Sequence, residues 1–221
     1  FSGALDLFSV YDIQCTYPKK KKDGLIILSQ ADLADGFVNI RYDVFKTAYA
    51  GFWAELVHYW LEEGKPSPDL YALLVFSLDA LDKGQVNRTV ISLLFQVRFM
   101  HLSGFSPQFE ACHHCGCLID DAPGPTAGFD FRDGGMVCRS CRKQMSRFSM
   151  TVSKGTLKQL AWIHTADLQR ADRIKLSEYA VKEGETLLES FIPFHIGREF
   201  KSLKFLSQMR HEYNRGVKDE S

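Results

Sequence analysis

No stretch of this chain is long and apolar enough to read as a bilayer-spanning helix, and no secretory-type segment stands ahead of its cysteines. Charge of one sign is missing too. The 27 Lys and Arg balance 27 Asp and Glu, so the formal net charge is zero and no global field draws the chain onto a polyanion or a membrane. An electrostatic partner must therefore be met by local patches. Catalytic signatures are equally scarce: there is no phosphate-cradling Gly-x-x-x-x-Gly-Lys loop, Gly-x-Ser-x-Gly elbow, dinucleotide fingerprint or His-Glu-x-x-His. His58, His101, His164 and His195 sit singly at helical positions, where a partly buried structural role is the ordinary one. Glu62–Glu63 and the Glu183/Glu185 pair show no positioned partner. The expectation is a protein that is not an enzyme.

Disorder is excluded as well. With 45% hydrophobic residues, 17 Phe and 8 Tyr in 221 residues, the chain can fill a real core, in one large domain or two small ones. Six cysteines are present, and four of them form two matched pairs, Cys112-His-His-Cys115 and Cys138-Arg-Ser-Cys141. A Cys-x-x-Cys knuckle offers two sulfurs to one ion, and two knuckles complete a tetrahedral thiolate shell, the geometry of structural zinc. Residues 116–137 separate the pairs, slightly more than the usual ribbon spacing. Within them Ala122-Pro-Gly-Pro-Thr-Ala-Gly128 suits a hairpin that returns the chain to the metal. Two disulfides would need an oxidising compartment, and a redox motif leaves the second pair unexplained. Zn2+ held by Cys112, Cys115, Cys138 and Cys141 is the expected cofactor. Four sulfurs leave no position for a catalytic water, so the metal is scaffolding. Cys15 reads as a small strand residue and Cys117 as a knuckle neighbour; Cys117, His113 and His114 are the minority candidates for the shell.

The pattern along the chain changes after about residue 28. Ala4–Tyr17 is rich in β-branched and aromatic residues, Asp23-Gly24 supplies a hairpin turn, and Leu25–Leu28 runs back. Two strands are marginal alone, so they should belong to a larger sheet or barrel with residues preceding Phe1. From Ser29 a helical period is expected, first a short helix carrying Leu33 and Phe37. A longer one follows with Phe45, Ala48, Tyr49, Phe52, Leu56, Tyr59 and Trp60 on one face, ending at Gly64. Ser67-Pro68-Asp69 starts another that Gly84 stops, and Val90 to Met100 forms a third that ends near Gly104. After the cysteines come a helix bearing Leu157, Leu160 and Ile163, then Tyr179 to Met209, bent at Pro193.

Three basic runs stand out on the neutral chain: Lys19, Lys20, Lys21 and Lys22; Arg139, Arg142, Lys143 and Arg147, with no acid between Cys138 and Phe148; and Arg198, Lys201 and Lys204, three apart, opposite Phe200, Leu203 and Leu206. Each alone is more simply a solvated face. Together they suit a nucleic-acid backbone or an acidic peptide.

The order of these parts, closed by His195-Ile-Gly-Arg-Glu-Phe-Lys-Ser-Leu-Lys-Phe-Leu206, resembles the bacterial RecO family. Its closing pattern is matched at His195, Gly197, Arg198, Lys201, Ser202, Phe205 and Leu206. The knuckle entry is also similar, with Leu102-Ser-Gly-Phe105 before Cys112, then Phe129 and Gly134-Gly135 before Cys138. The resemblance implies a mainly α fold: a helical bundle with an inserted zinc ribbon, preceded by the remnant of an N-terminal OB-fold β-barrel. It divides the chain into a closing barrel hairpin (1–28), a first helical part (29–108), a ribbon (109–148) and a second helical part with a basic tail (149–221).

It further implies a cytoplasmic, nucleoid-associated recombination mediator in DNA repair. Such a protein binds single- and double-stranded DNA, anneals strands, and works with RecR and single-strand-binding protein to help load RecA. Lys19–Lys22 and the 139–147 run would contact phosphates, and Arg198, Lys201 and Lys204 would meet the acidic tail of single-strand-binding protein or hold the bundle together. The rival reading is a zinc-stabilised helical adaptor that binds only protein. On either reading, metal loss is expected to unfold the hairpin and little else.

Overall fold

The computed structural model describes residues 5–17, 25–166 and 175–219. Two strands, β1 (Val10–Thr16) and β2 (Ile27–Asp35), form an antiparallel ladder from Thr16 opposite Ile27 to Val10 opposite Asp35. The helical period expected from Ser29 is not realised: residues 29–35 continue β2. Their backbone groups meet a complete partner strand in Tyr11–Gln14, and the Ser29 hydroxyl donates to the Gln14 carbonyl at 2.9 Å rather than capping a helix. Ladder bonds outweigh a weak local helical preference here. Phe37 is buried but stands outside any helix, in the left-handed region (φ 35°) immediately before the single-turn α1 (Val38–Arg41). The Asp82 carboxylate accepts from the Asn39 and Ile40 N–H groups at 2.7 and 3.2 Å and so fixes that turn.

The long helices follow their caps. Asp43 accepts from Phe45 and Lys46 N–H to start α2 (Val44–Trp60), which stops at Leu61 in extended backbone, short of Gly64. Pro68 begins α3 (Pro68–Lys83), Gly84 ends it at φ 66°, and Asn87 caps α4 (Arg88–Leu102). Val90, Ile91, Leu93, Leu94, Phe95, Val97, Phe99 and Met100 of α4 are all buried. Such all-round burial makes α4 the axis against which α2 and α3 pack. Trp53 of α2 stacks on Phe95 at 5.3 Å, and its indole N–H donates to Ser92, which also accepts from Gln96.

Between α4 and the next helix lies an antiparallel sheet of β3 (Thr126–Asp130), β4 (Gly135–Val137) and β5 (Ser149–Ser153), ordered β4-β3-β5, with a 3-10 helix at Arg139–Gln144. The chain then forms α5 (Lys154–Thr165) and α6 (Glu178–Ile196), both against α4, and α7 (Lys201–Asp219) against α2. The expected bend at Pro193 is instead a break at Gly197 (φ 74°). The Pro193 carbonyl accepts from the Gly197 and Arg198 N–H groups, which closes α6 and lets α7 start in a new direction. Arg198 consequently precedes α7 and does not share a helix face with Lys201 and Lys204. Gly197→Ala is expected to destabilise the fold by about 1 kcal/mol, since an L side chain is strained at that φ, and to lower the calorimetric midpoint by a few degrees. Among the described residues, no helix is long and apolar enough to cross a membrane.

A four-cysteine centre and the surface around it

The first knuckle is shaped by backbone bonds. Cys112 N–H donates to the Cys117 carbonyl and Gly116 N–H to the Cys112 carbonyl, each at 2.8 Å, and Gly116 adopts φ 72°, which closes the turn. Gln108, Gly134, Met136 and His113 then exchange three bonds of 2.8 Å that lay this knuckle along β4. The second knuckle opens at the end of β4, where Cys138 N–H donates to the Cys112 sulfur at 3.3 Å, and continues into the 3-10 helix carrying Cys141.

The four Sγ atoms lie within 4.8 Å of one another, and Cys115 and Cys138 are 3.7 Å apart. Sulfurs about 2.3 Å from a tetrahedral zinc would stand just under 4 Å apart, so the spacing fits that ion. All four are free of disulfides. Burial opposes ionisation of Cys112, but N–H groups of Cys138, Cys115 and His114 bring its thiol down to about 6; Cys141, bonded to Cys115 and crowded by the other sulfurs, is pushed up to about 12. Four such groups can hold a metal ion, and a cation is what lets them ionise together. Neither Cys117 nor His113 nor His114 joins this cluster. Cys15 lies exposed in β1.

The centre is tied to the helices by packed aromatics and a hydrogen bond from α6, and is braced internally by Asp130. Phe129 of β3 meets Phe109 at 5.7 Å and Phe191 of α6 at 5.4 Å, and Phe131 meets Phe191 and Phe194. His195 Nε2 donates to the Phe131 carbonyl at 2.6 Å, while burial among rings holds the imidazole below its ordinary value. Asp130, fully buried, accepts from the Ser146 N–H and hydroxyl and from Arg132 N–H. Burial alone would raise its pKa, yet these bonds hold it below the usual carboxylate range. Asp130 thereby fastens the exit of the second knuckle to β3.

The 139–147 run is exposed on this frame. Arg142 donates to the Thr151 hydroxyl at 2.6 Å, and the Arg147 guanidinium lies 4.6 Å from the Phe148 ring centre. Lys19–Lys22 fall outside the described residues. The third run stays at the surface: Arg198 lies 3.4 Å over the Tyr59 ring, and Lys204 pairs with Glu199, all of them exposed. Sequence reasoning misses the group that organises this end, Glu55 of α2. Its carboxylate accepts from Lys201 N–H (3.3 Å), Ser202 N–H (2.9 Å) and the Ser202 hydroxyl, capping α7. The sequence alone likewise shows no partner for Glu183 or Glu185, and the structure supplies one for each. Glu183 accepts from the Ser153 N–H and the Tyr179 hydroxyl, and Glu185 shares Arg210 with Glu189.

Comparison with known proteins places these features in one group. The family model described as "Recombination protein O C terminal" matches residues 41–204. A protein of Desulfatibacillum aliphaticivorans named "DNA repair protein RecO" is 40% identical over 213 residues, covering 96% of this chain and 82% of that protein. A Bacillus subtilis protein of the same name is 30% identical over 190 residues, covering 86% of this chain and 72% of its own length.

Proposed function

The chain belongs to the RecO family of DNA repair proteins, and on that premise we propose that it is a recombination mediator. It binds single- and double-stranded DNA, anneals complementary strands and, with RecR and single-strand-binding protein, helps load RecA. Annealing breaks no covalent bond; it requires cationic surface that brings two polyanions together irrespective of sequence. The observation that carries the reading is the exposed run of Arg139, Arg142, Lys143 and Arg147, free of acid between Cys138 and Phe148 and braced by the cysteine centre. In this reading the centre holds structural Zn2+, Lys19–Lys22 add a second phosphate-contacting loop, and Lys201 and Lys204 meet the acidic tail of single-strand-binding protein. The hairpin of β1 and β2 would be the last part of an OB-fold barrel. The large exposure of Ile13, Ile27 and Leu33 on a two-stranded sheet supports that continuation. The ribbon would then divide a single helical domain, in a cytoplasmic protein acting at the nucleoid.

Reversing Arg139, Arg142, Lys143 and Arg147 to Glu is expected to weaken binding to random-sequence single strands at least ~100-fold at low salt and to flatten the salt dependence by up to about one unit of slope per lost phosphate contact. Unchanged affinity and slope would remove the ribbon from the DNA surface. A wild-type protein that binds no DNA at any salt would favour the protein-only adaptor.

A further inference from the structure

Arg139 and Arg142 stand three residues apart on a 3-10 helix, where side chains at i and i+3 project from the same side. Facing them are the turn at 123–125 and the start of β3 at 126–128, and a cleft of about 250 Å³ lies between the two walls. Among the described residues, no carboxylate lines it. On the turn side the Pro125 carbonyl accepts from Lys154 N–H at 3.0 Å, and Ala122, just before the cleft, accepts from the Lys154 ammonium at 2.7 Å. The nearby Asp120 is paired with Lys158. Thr151 orients Arg142, and the Arg139 guanidinium comes up against the turn at Gly124, whose φ of 82° favours glycine. Four cations in the 139–147 run outnumber the two net negative charges of a zinc tetrathiolate, so the surface stays positive with metal bound.

We propose that this cleft is a clamp for a terminal phosphomonoester, the 5′- or 3′-phosphate of a DNA strand end, resting on the reading of the ribbon as a DNA contact. Two guanidinium groups in one recess match a dianionic tetrahedral group with three free oxygens. An internal phosphodiester carries one charge and two flanking sugars, and a cleft walled by the turn and the 3-10 helix accommodates one exit more readily than two. The ribbon thereby distinguishes a strand end from the interior of a strand.

Competition anisotropy with the zinc-loaded protein tests this. The probes are one short single strand bearing a 5′-phosphate, a 3′-phosphate or only hydroxyl ends, together with inorganic phosphate. A phosphorylated end should bind about tenfold tighter than the hydroxyl strand, and inorganic phosphate at millimolar levels should remove that advantage selectively. In Arg139→Gln/Arg142→Gln the advantage should vanish, while Lys143→Gln, outside the cleft, should weaken binding of all ends alike and keep it. Equal affinity for all ends overturns the clamp and leaves the DNA reading standing. If no strand binds, the DNA reading falls; amide shifts at Gly124 and at 126–128 on addition of inorganic phosphate then still support the cleft, and their absence overturns it too.

Discussion

Chelating the ion proposed for the four-cysteine centre is expected to destabilise the helical bundle together with the ribbon. Read from sequence, the knuckles lie in an excursion between helices, and metal loss should melt only that excursion. The packing argues otherwise. Phe109, Phe129, Met136 and Val137 of the ribbon are buried in one continuous cluster with Phe191, Ile192 and the core of α4. Without a cation the sulfurs cannot ionise together, the two knuckles separate, and β4 loses its partner at Gln108. Phe129 then leaves its place against Phe191, and a vacated aromatic site in a core costs about 3–5 kcal/mol. For a protein of this size that corresponds to a fall of roughly 10–15 °C in the melting midpoint, with ribbon and bundle unfolding in one transition. Cys138→Ser should act in the same direction. Trp60, which meets Phe99 and Phe105 at the bundle's junction with the ribbon, and Trp53, deep between α2 and α4, report on the helices separately from the sheet. If chelation removes the β3–β5 signals by NMR but leaves the tryptophan emission and its thermal midpoint unchanged, the ribbon is an independent module and this account of the core is wrong.

What the sequence disclosed and what it hid differ in physical kind. Helices with strong local punctuation were legible: Ser67-Pro68, Gly84 and Gly104 bound α3 and α4 in the structure as in the text. The four-cysteine cluster was legible because two Cys-x-x-Cys pairs read as one set of sulfurs that could hold an ion, and the structure brings those four together. Residues 29–35 were misread because Leu33 and Phe37 fit a helical period as well as a strand, and only the partner strand decides between them. The missed polar groups share a different trait. Glu55, Asp82, Asp130 and Glu183 each cap or tie backbone N–H groups far away in sequence, and an acid on a helix or strand carries no local sign of such a partner. Arg210 is the same case: burial pushes the carboxyls of Glu185 and Glu189 above their ordinary range even though this one guanidinium serves both. The closing motif was legible as a family mark, but its roles were hidden. Gly197 breaks the helix, Arg198 covers Tyr59, and Ser202 meets Glu55, so much of the motif positions α7.

Glu55→Ala is therefore expected to release α7, with a loss of about 3 kcal/mol, although residue 55 lies in no motif. Three donors converge on its carboxylate, two of them among the first N–H groups of a helix, where a negative charge also meets the positive end of the dipole. Hydrogen bonds to a charged group contribute about 1.5–3 kcal/mol each but overlap when they share one acceptor, which sets the figure. One turn along α2, Tyr59 holds Arg198, so the two ends of the α6–α7 connection depend on the same helix. Phe200, Leu203 and Leu206 stay buried against it, and their contacts keep the released helix near the bundle rather than unfolding the whole protein. Hydrogen exchange should show amides in the first turns of α7 losing roughly 100-fold in protection, while those of α4 change little.

The same carboxylate fixes a pH dependence. Burial would raise its pKa, but the bonds from Ser202 and Lys201 and the charge of Arg198 hold it below the ordinary value. The cap is thus fully present above the unfolded value of about 4.3 and is lost as pH falls through the lower folded value. The first turns of wild-type α7, which rest on this cap, should lose protection in that acid window. Glu55→Gln, uncharged throughout, should show weakened protection already at pH 7 and lack this acid step. A variant that keeps the wild-type profile would show that apolar packing of Phe200 and Leu206, rather than the cap, holds α7 in place.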